Sequence, residues 1–438
     1  MAWFSPLPPV RTGVAAVSAD AVAALGARGH LVDVYQEGNA HDFPWTERRH
    51  PYDLVVYQFG NSSHHDYEWP YALRYPGLVV LHDTRLHHAR AALLLREKRR
   101  DDYRRELAWS EPDVNPDAAE LAVAGFDSRL YYDWPLCRAL VTCSRLVAVH
   151  GEATRRELVE RLSTPGTPGA GSQAPFTERI VSIRLGHGEL VSAADETAAR
   201  QRIRARYGIA RDAIVFGVFG GLTPEKRLPQ IVEAFRAVLP HAPDARLLLG
   251  GAPAAQVDVN DLLVTGYIDD DELTDHVAAV DVSLNLRWPT ARETSGPWLR
   301  ALAAGKPTIV TELLHRIDVP TLDPRTWTST SAAGRRSPPI AVGIDIVDED
   351  HSLRLAMRRL ATDADLRARL GRAGRLHWQR EHSIDAMADD YERVMQGARG
   401  MRGGREALPP HVRPDGDEKL RRLLAPFGIG SPFDGAPQ

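Results

Sequence analysis

The strongest constraint on this chain is a set of short apolar segments that do not alternate with polar residues, each separated from the next by a helical pattern. DLVVYQFG (Asp53–Gly60), GLVVLHD (Gly77–Asp83), RLVAVH (Arg145–His150), AIVFGVFG (Ala213–Gly220), RLLLGG (Arg246–Gly251) and DVSLNL (Asp281–Leu286) all have this form. A strand that is apolar on both faces must be covered on both faces, and the cover that fits between consecutive parallel strands is a helix. The pattern restarts after RIVSIRLGHG (Arg179–Gly188), where a helix at Thr197–Tyr207 leads into AIVFGVFG. Two doubly wound α/β domains facing across a cleft are therefore expected. The length of 438 residues agrees, because single cores stop growing near ~250–300 residues.

Composition removes several other classes. With 43% hydrophobic and 26% charged residues the chain reads as an ordinary soluble protein, and a net charge of -4 gives no electrostatic case for nucleic acid. Two cysteines, Cys137 and Cys143, make neither a disulfide framework nor a metal site, so a reducing, cytoplasmic setting is expected. No apolar run approaches the ~18 residues of a spanning helix. The pairs His64-His65 and His87-His88 point in different directions, and no metal is expected. LHHARAALLLREKRRDDYRREL (Leu86–Leu107) reads as one long helical region joining an apolar part to a basic one. It is either a solvated face or a weak peripheral contact with an anionic inner membrane surface. TPGTPGAGSQAPF (Thr164–Phe176) reads as a disordered loop and residues 398–438 as a flexible tail.

Two loops carry chemistry. In RWPTARETSGPWLRALAAGKPTIV (Arg287–Val310), Glu293 stands between a strand end and a helix that Pro297 opens and Gly305 and Pro307 close. Ligands of open α/β sheets bind at that edge, where the amides of Thr294, Ser295 and Gly296 can donate to hydroxyl or phosphate oxygens. A carboxylate beside them suits a polyhydroxylated ligand. The competing reading is that Glu293 only caps the helix. In VFGVFGGLTPEKR (Val215–Arg227) a strand ends at Gly220 and Gly221 and delivers Lys226 to a helix start. Only four of the 54 basic residues are lysine, so a compact ammonium here points to a phosphate, against a merely solvated lysine.

Taken together, the pieces resemble a retaining glycosyltransferase of the GT-B fold, family 4, over roughly Ala2 to Val394. SPLPPVRTGVAAVSADAVAALGARGHLVDVY resembles the family's opening strand, glycine loop and helix, and GGLTPEKRL its phosphate loop. TGYIDDDELTDHVAAVDVSLNLRWPTARETSGPWLRALAAGKPTIV resembles its donor region, in the branch carrying Glu-Thr-Ser-Gly; LRARLGRAGRLHWQREHS and MADDYERV resemble its last helices. The resemblance implies an acceptor-side domain at 1–192, a nucleotide-sugar domain at 193–378 and a crossover helix at 379–397. It implies transfer of a sugar from a nucleotide-diphosphate sugar to an acceptor hydroxyl on a glycan, a lipid-linked molecule or a small molecule, without a metal or other cofactor. His82, Lys226 and Glu293 would be catalytic, with His82 reaching the donor sugar. Gly13, Gly220, Gly221, Thr294, Ser295 and Gly296 would line the donor, and Gly266, Tyr267 and Ile268 would lie against the base. The family's second acid is replaced in Leu299-Arg300-Ala301, and its phosphate-loop arginine by Gly221; Arg287 or Arg227 is expected to supply the missing charge. A degenerate nucleotide-binding scaffold and a sugar-nucleotide epimerase remain as alternatives.

Overall fold

The computed structural model describes residues 1–126, 129–163, 176–251, 262–313, 317–330 and 338–404, with isolated positions beyond. Its first sheet has six parallel strands, β1 (Ala2–Phe4), β2 (Asp33–Tyr35), β3 (Val55–Phe59), β4 (Leu78–Leu81), β5 (Leu146–His150) and β6 (Ile180–Ile183), in the order β2-β1-β3-β4-β5-β6. The second contains β7 (Val215–Phe219), β8 (Arg246–Gly250), β9 (Leu263–Val264), β10 (Val282–Asn285), β11 (Thr308–Thr311), β12 (Thr321–Leu322), β13 (Ser329–Thr330) and β14 (Ala341–Ile344). Their order is β13-β12-β14-β11-β10-β7-β8-β9, parallel except for the β12–β13 pair. Every residue of β3, β5, β7 and β10 is buried, as strands without alternation require.

Helices cover both sheets, and their ends follow capping chemistry. Thr12 accepts from the Ala15 amide to start the helix Gly13–Ala27, and Ser383 accepts from the Ala386 amide to start Ile384–Arg399. That last helix packs on Gly13–Ala27 and against β4, β5 and β6. Ion pairs hold it there: Arg28 meets Asp389 at 2.7 Å and Glu392 at 3.0 Å, and Arg184 meets Asp390 at 2.8 Å. Its Met387 and Tyr391 share one core with Trp3 of the first sheet and with Trp298, Leu299 and Leu302 beside the second.

Three expectations need correction or fall outside the description. The segment 86–107 is two helices, His87–Arg96 and Arg100–Ser110, broken where Lys98 takes φ +60. Its Ala91, Leu94, Tyr103 and Leu107 form a satellite core, and Arg90 and Glu106 pair inside it at 2.8 Å. Its outer arginines 99, 104 and 105 meet Asp102, Asp101 and Glu120. The chain after 398 does not leave the body as a free tail. The Gly404 amide bonds the Cys143 carbonyl at 3.1 Å, Gly403 lies against Pro76, and Leu408 and Val412 join the first core. Most of the later positions, and residues 164–175, lie outside the described residues. No described helix is long and apolar enough to cross a membrane.

Candidate active site

In each sheet the direction of strand addition reverses at one strand: from β1 the chain adds β2 on one side and then crosses to β3 on the other, and from β7 it adds β8 and β9 on one side and then crosses to β10 on the other. Loops leaving the carboxyl ends of such strands diverge to opposite faces and open a crevice between them. The loops after β7 and β10 are those that carry Lys226 and Glu293. On the first sheet, Phe59 lies opposite Leu81, so Gly60-Asn61 and His82-Asp83 leave β3 and β4 at the same level.

On the second-sheet wall, a single turn of 3-10 helix at Pro224–Lys226 folds the lysine back over its own strand. Its ammonium donates to the Phe219 carbonyl and lies beside Gly220, where a Cβ would come within 3.1 Å of it. Gly220 also has φ +91, so only glycine suits the position. Burial pushes Lys226 down to about 7, Arg287 adds to this and Glu293 opposes it. Arg287 Nε meets Glu293 Oε1 at 2.6 Å, and the Thr290 hydroxyl donates to Glu293 Oε2 at 2.8 Å. Lys226, Arg287 and Glu293 thus form one cluster. Glu293 does not cap the following helix. That position belongs to Ser295, which accepts from the Trp298 amide at 3.4 Å and starts Gly296–Ala303.

The remaining sequence-derived positions divide. Arg227 is turned away from the cluster: it stands at φ +59 and grips Glu349 with Nε at 2.9 Å and Nη2 at 2.5 Å. Of the two arginines expected to replace the missing one, only Arg287 is beside Lys226. Thr294 is partly buried next to Glu293, while Gly296 abuts the His187 ring. Gly266 turns at φ +71 and leaves Tyr267 53% exposed, with the Arg11 guanidinium 3.9 Å above its ring from across the cleft. Ile268 packs over Gly250. Gly13 and Gly221 are exposed, with open space where a side chain would begin or nearly so.

The first-sheet wall is built differently. His82 is 8% exposed, and both ring nitrogens are engaged: Nε2 with Gln58 Oε1 at 2.8 Å and Nδ1 with His150 Nε2 at 3.2 Å. Tyr391 donates to the same Gln58 oxygen at 3.1 Å. Burial, then His150, holds His82 well below the usual histidine range, and His150 is lowered to about 4. Beneath them His65 and Glu68 meet at 2.8 Å; burial lowers the histidine to about 3 and raises the carboxyl well above its usual range. This is a hydrogen bond between neutral groups, because a fully desolvated ion pair would be too costly.

Asp83, which sequence reasoning passed over, is the first-sheet carboxyl at the cleft. Its Oδ2 accepts from the Asn61 amide at 2.7 Å. Burial raises it to about 7, with Glu293 adding to the rise and Arg287 opposing it. The signal available was its place directly after His82 at a strand end.

Contacts across the cleft fix this geometry. The amides of Thr84 and Arg85 both donate to the Ala291 carbonyl, at 3.1 and 3.2 Å. Glu157 holds Arg85 at 2.5 Å and Arg292 at 3.0 Å. Tyr132 donates to Glu225 Oε1 at 2.7 Å. Arg300, where the sequence resemblance led to the expectation of a second acid, donates to His187 Nε2 at 3.0 Å and meets Asp270 at 3.1 Å. Among the described residues no three His, Cys, Asp or Glu side chains are grouped to hold a metal ion.

The chain matches no family model and no curated protein. Solved structures do match over nearly its whole length. It is similar to Anabaena HepE in complex with UDP and glucose (TM-score 0.57, 13% identity, 90% of this chain and 99% of that one). It is similar also to WaaG, a glycosyltransferase involved in lipopolysaccharide biosynthesis (0.54, 14%, 90% and 99%). The catalytic domain of starch synthase IV from Arabidopsis thaliana, bound to ADP and acarbose, gives 0.60, 11%, 91% and 99%. Two parallel-sheet α/β domains with these neighbours define the GT-B fold.

Proposed function

We propose that this protein is a retaining glycosyltransferase that moves a sugar from a nucleotide-diphosphate sugar to an acceptor hydroxyl without a metal ion. The observation that carries this reading is the convergence of Lys226, Arg287 and Glu293 at the β7/β10 crevice, facing Asp83 of the first sheet. The neighbours that hold UDP-glucose or ADP support a nucleotide-sugar donor. Lys226 and Arg287 would neutralise the diphosphate, and Glu293 would exchange its arginine for donor-sugar hydroxyls. The glycosidic C–O bond breaks with its electron pair passing to the diphosphate, where the two cations stabilise the developing charge. The acceptor oxygen bonds to the anomeric carbon on the same face, and its proton passes to the departing phosphate.

A thermal-shift screen of purified protein against UDP-, GDP-, ADP- and dTDP-sugars tests the reading. One class should raise the melting temperature, by the equivalent of about 2.7 kcal/mol at a hundred times Kd, and should slowly release nucleoside diphosphate. Binding without release would support the scaffold alternative; no binding would end the proposal.

A further inference from the structure

The acid next to His82 is placed where the histidine itself cannot act. Both nitrogens of His82 are committed inward, to Gln58 and His150, and the ring is 8% exposed. A ring so held has no remaining polar atom for a ligand. Asp83 is held differently. One carboxyl oxygen is fixed by the Asn61 amide, while the two amides that follow, of Thr84 and Arg85, dock on the Ala291 carbonyl two residues before Glu293. Those backbone contacts bring the Asp83 carboxyl within electrostatic reach of Glu293 and Arg287. Gly60 leaves room for this approach, since a Cβ there would stand 2.9 Å from His65 Nε2 and 3.3 Å from Asp83 Oδ2.

Resting on the glycosyltransferase reading, we propose that Asp83, and not His82, is the first-sheet side chain that contacts the transferred sugar, gripping its hydroxyls opposite Glu293. Glu293 offers its carboxyl oxygens as acceptors, as it does to Arg287 and Thr290; Asp83, facing that carboxyl in a buried setting, retains its proton more readily and can donate. A polyhydroxylated ring between them satisfies one donor and one acceptor at once. The grip is divided between the two lobes, so the sugar is fully held only when both walls meet. His82 then acts as a positioning residue that anchors the end of β4.

The test separates sugar binding from nucleotide binding by calorimetry, using UDP and UDP-glucose, ADP and ADP-glucose, GDP and GDP-mannose, and dTDP and dTDP-glucose. The pair with the strongest response is carried forward. Asp83→Ala should weaken the nucleotide-sugar about ten-fold or more, the loss expected for a hydrogen bond to a group of this kind, and leave the bare nucleoside diphosphate within about two-fold. Asp83→Asn, which keeps a donor of the same shape and guards against misfolding of the alanine variant, should retain most of the sugar's contribution. Equal loss for both ligands in Asp83→Ala, or none for either, overturns the assignment while leaving the transferase reading in place. If the unmodified protein binds none of the eight ligands, both fall.

Discussion

The wall of the cleft supplied by the second sheet is charged and assembled from residues close in sequence; the wall supplied by the first is largely neutral and assembled from distant ones. Lys226 lies seven residues from the carbonyl it caps, and Arg287 six from Glu293. On the other side, Gln58, His82, His150 and Tyr391 come from β3, β4, β5 and the last helix. The charged wall can change partners when an anion arrives, because its ions are held mainly by one another. The neutral wall cannot, because the Gln58 oxygen, both His82 nitrogens, His150 Nε2 and the Tyr391 hydroxyl satisfy one another, and leaving any of them unsatisfied while buried costs free energy. The charged wall is therefore expected to govern nucleotide affinity and the neutral wall, Asp83 and its sugar contact aside, stability.

The largest effect should follow from removing the ammonium. Lys226→Ala should cut turnover about 10²–10³-fold, the range for losing one preorganised charge-stabilising donor, as read by nucleoside diphosphate release. Lys226→Met should abolish ligand-induced stabilisation yet raise the melting temperature of the free protein, since it removes a buried amine that folding disfavours. A fall in that temperature would mean the lysine also holds the fold, and the contrast between walls would weaken.

Gln58→Leu tests the opposite wall. It strands the Tyr391 hydroxyl and His82 Nε2, so it should cost about 2–4 kcal/mol of stability by denaturant titration, with nucleoside diphosphate affinity at 25 °C unchanged within about two-fold. Arg287→Ala should do the reverse, weakening nucleoside diphosphate binding about ten-fold or more with little change in midpoint, whereas Arg227→Ala, whose partner is Glu349, should leave binding intact.

The charged wall should also couple binding to protons. In the free protein Lys226 is held near 7 instead of its usual 10.5; a diphosphate beside it restores the ammonium and raises that value. The bound state then holds more protons above about pH 7, so affinity falls as pH rises through that window, by at most about ten-fold per unit. Calorimetry in two buffers of different ionisation enthalpy should show proton uptake on binding at pH 8. The same depressed value makes the free protein gain stability as pH rises from about 7 towards 10.5, because the unfolded chain binds the extra proton there.

These differences also explain what could be read from the sequence. Apolar runs fixed the main strands, because burial on both faces leaves no polar alternation, and the loops after β7 and β10 were legible as a candidate site because the residues that cluster there, Lys226, Arg287 and Glu293, lie close in sequence to the strand ends. The first wall was not, since a histidine's partners depend on which strands become neighbours. His82 was singled out, but nothing in GLVVLHD shows that both its nitrogens would be consumed and that Asp83 would face the cleft. The break at Lys98 was hidden because the helical period resumes within two residues. Packing at Gly403 was hidden because it depends on the distant Pro76 and Cys143. The pair β12 and β13 is two residues per strand, too short for any periodicity.

Arg300 marks the boundary of the charged wall and should give the smallest effect. It sits where an acid for the nucleotide ribose was expected, yet its guanidinium is shared between His187 and Asp270. His187 continues towards Asp20 on the first domain's opening helix at 3.4 Å. The arginine therefore ties the helix Gly296–Ala303 to the segment joining the two sheets. Asp270 is largely exposed, with a side chain 61% accessible, so the ion pair should contribute only about 0.2–1 kcal/mol. Arg300→Ala should shift the denaturation midpoint slightly and leave nucleoside diphosphate affinity within about two-fold. A ten-fold loss of affinity would instead place Arg300 on the ligand, extend the charged wall by a full helical turn, and make the ribose contact a cation's task rather than an acid's.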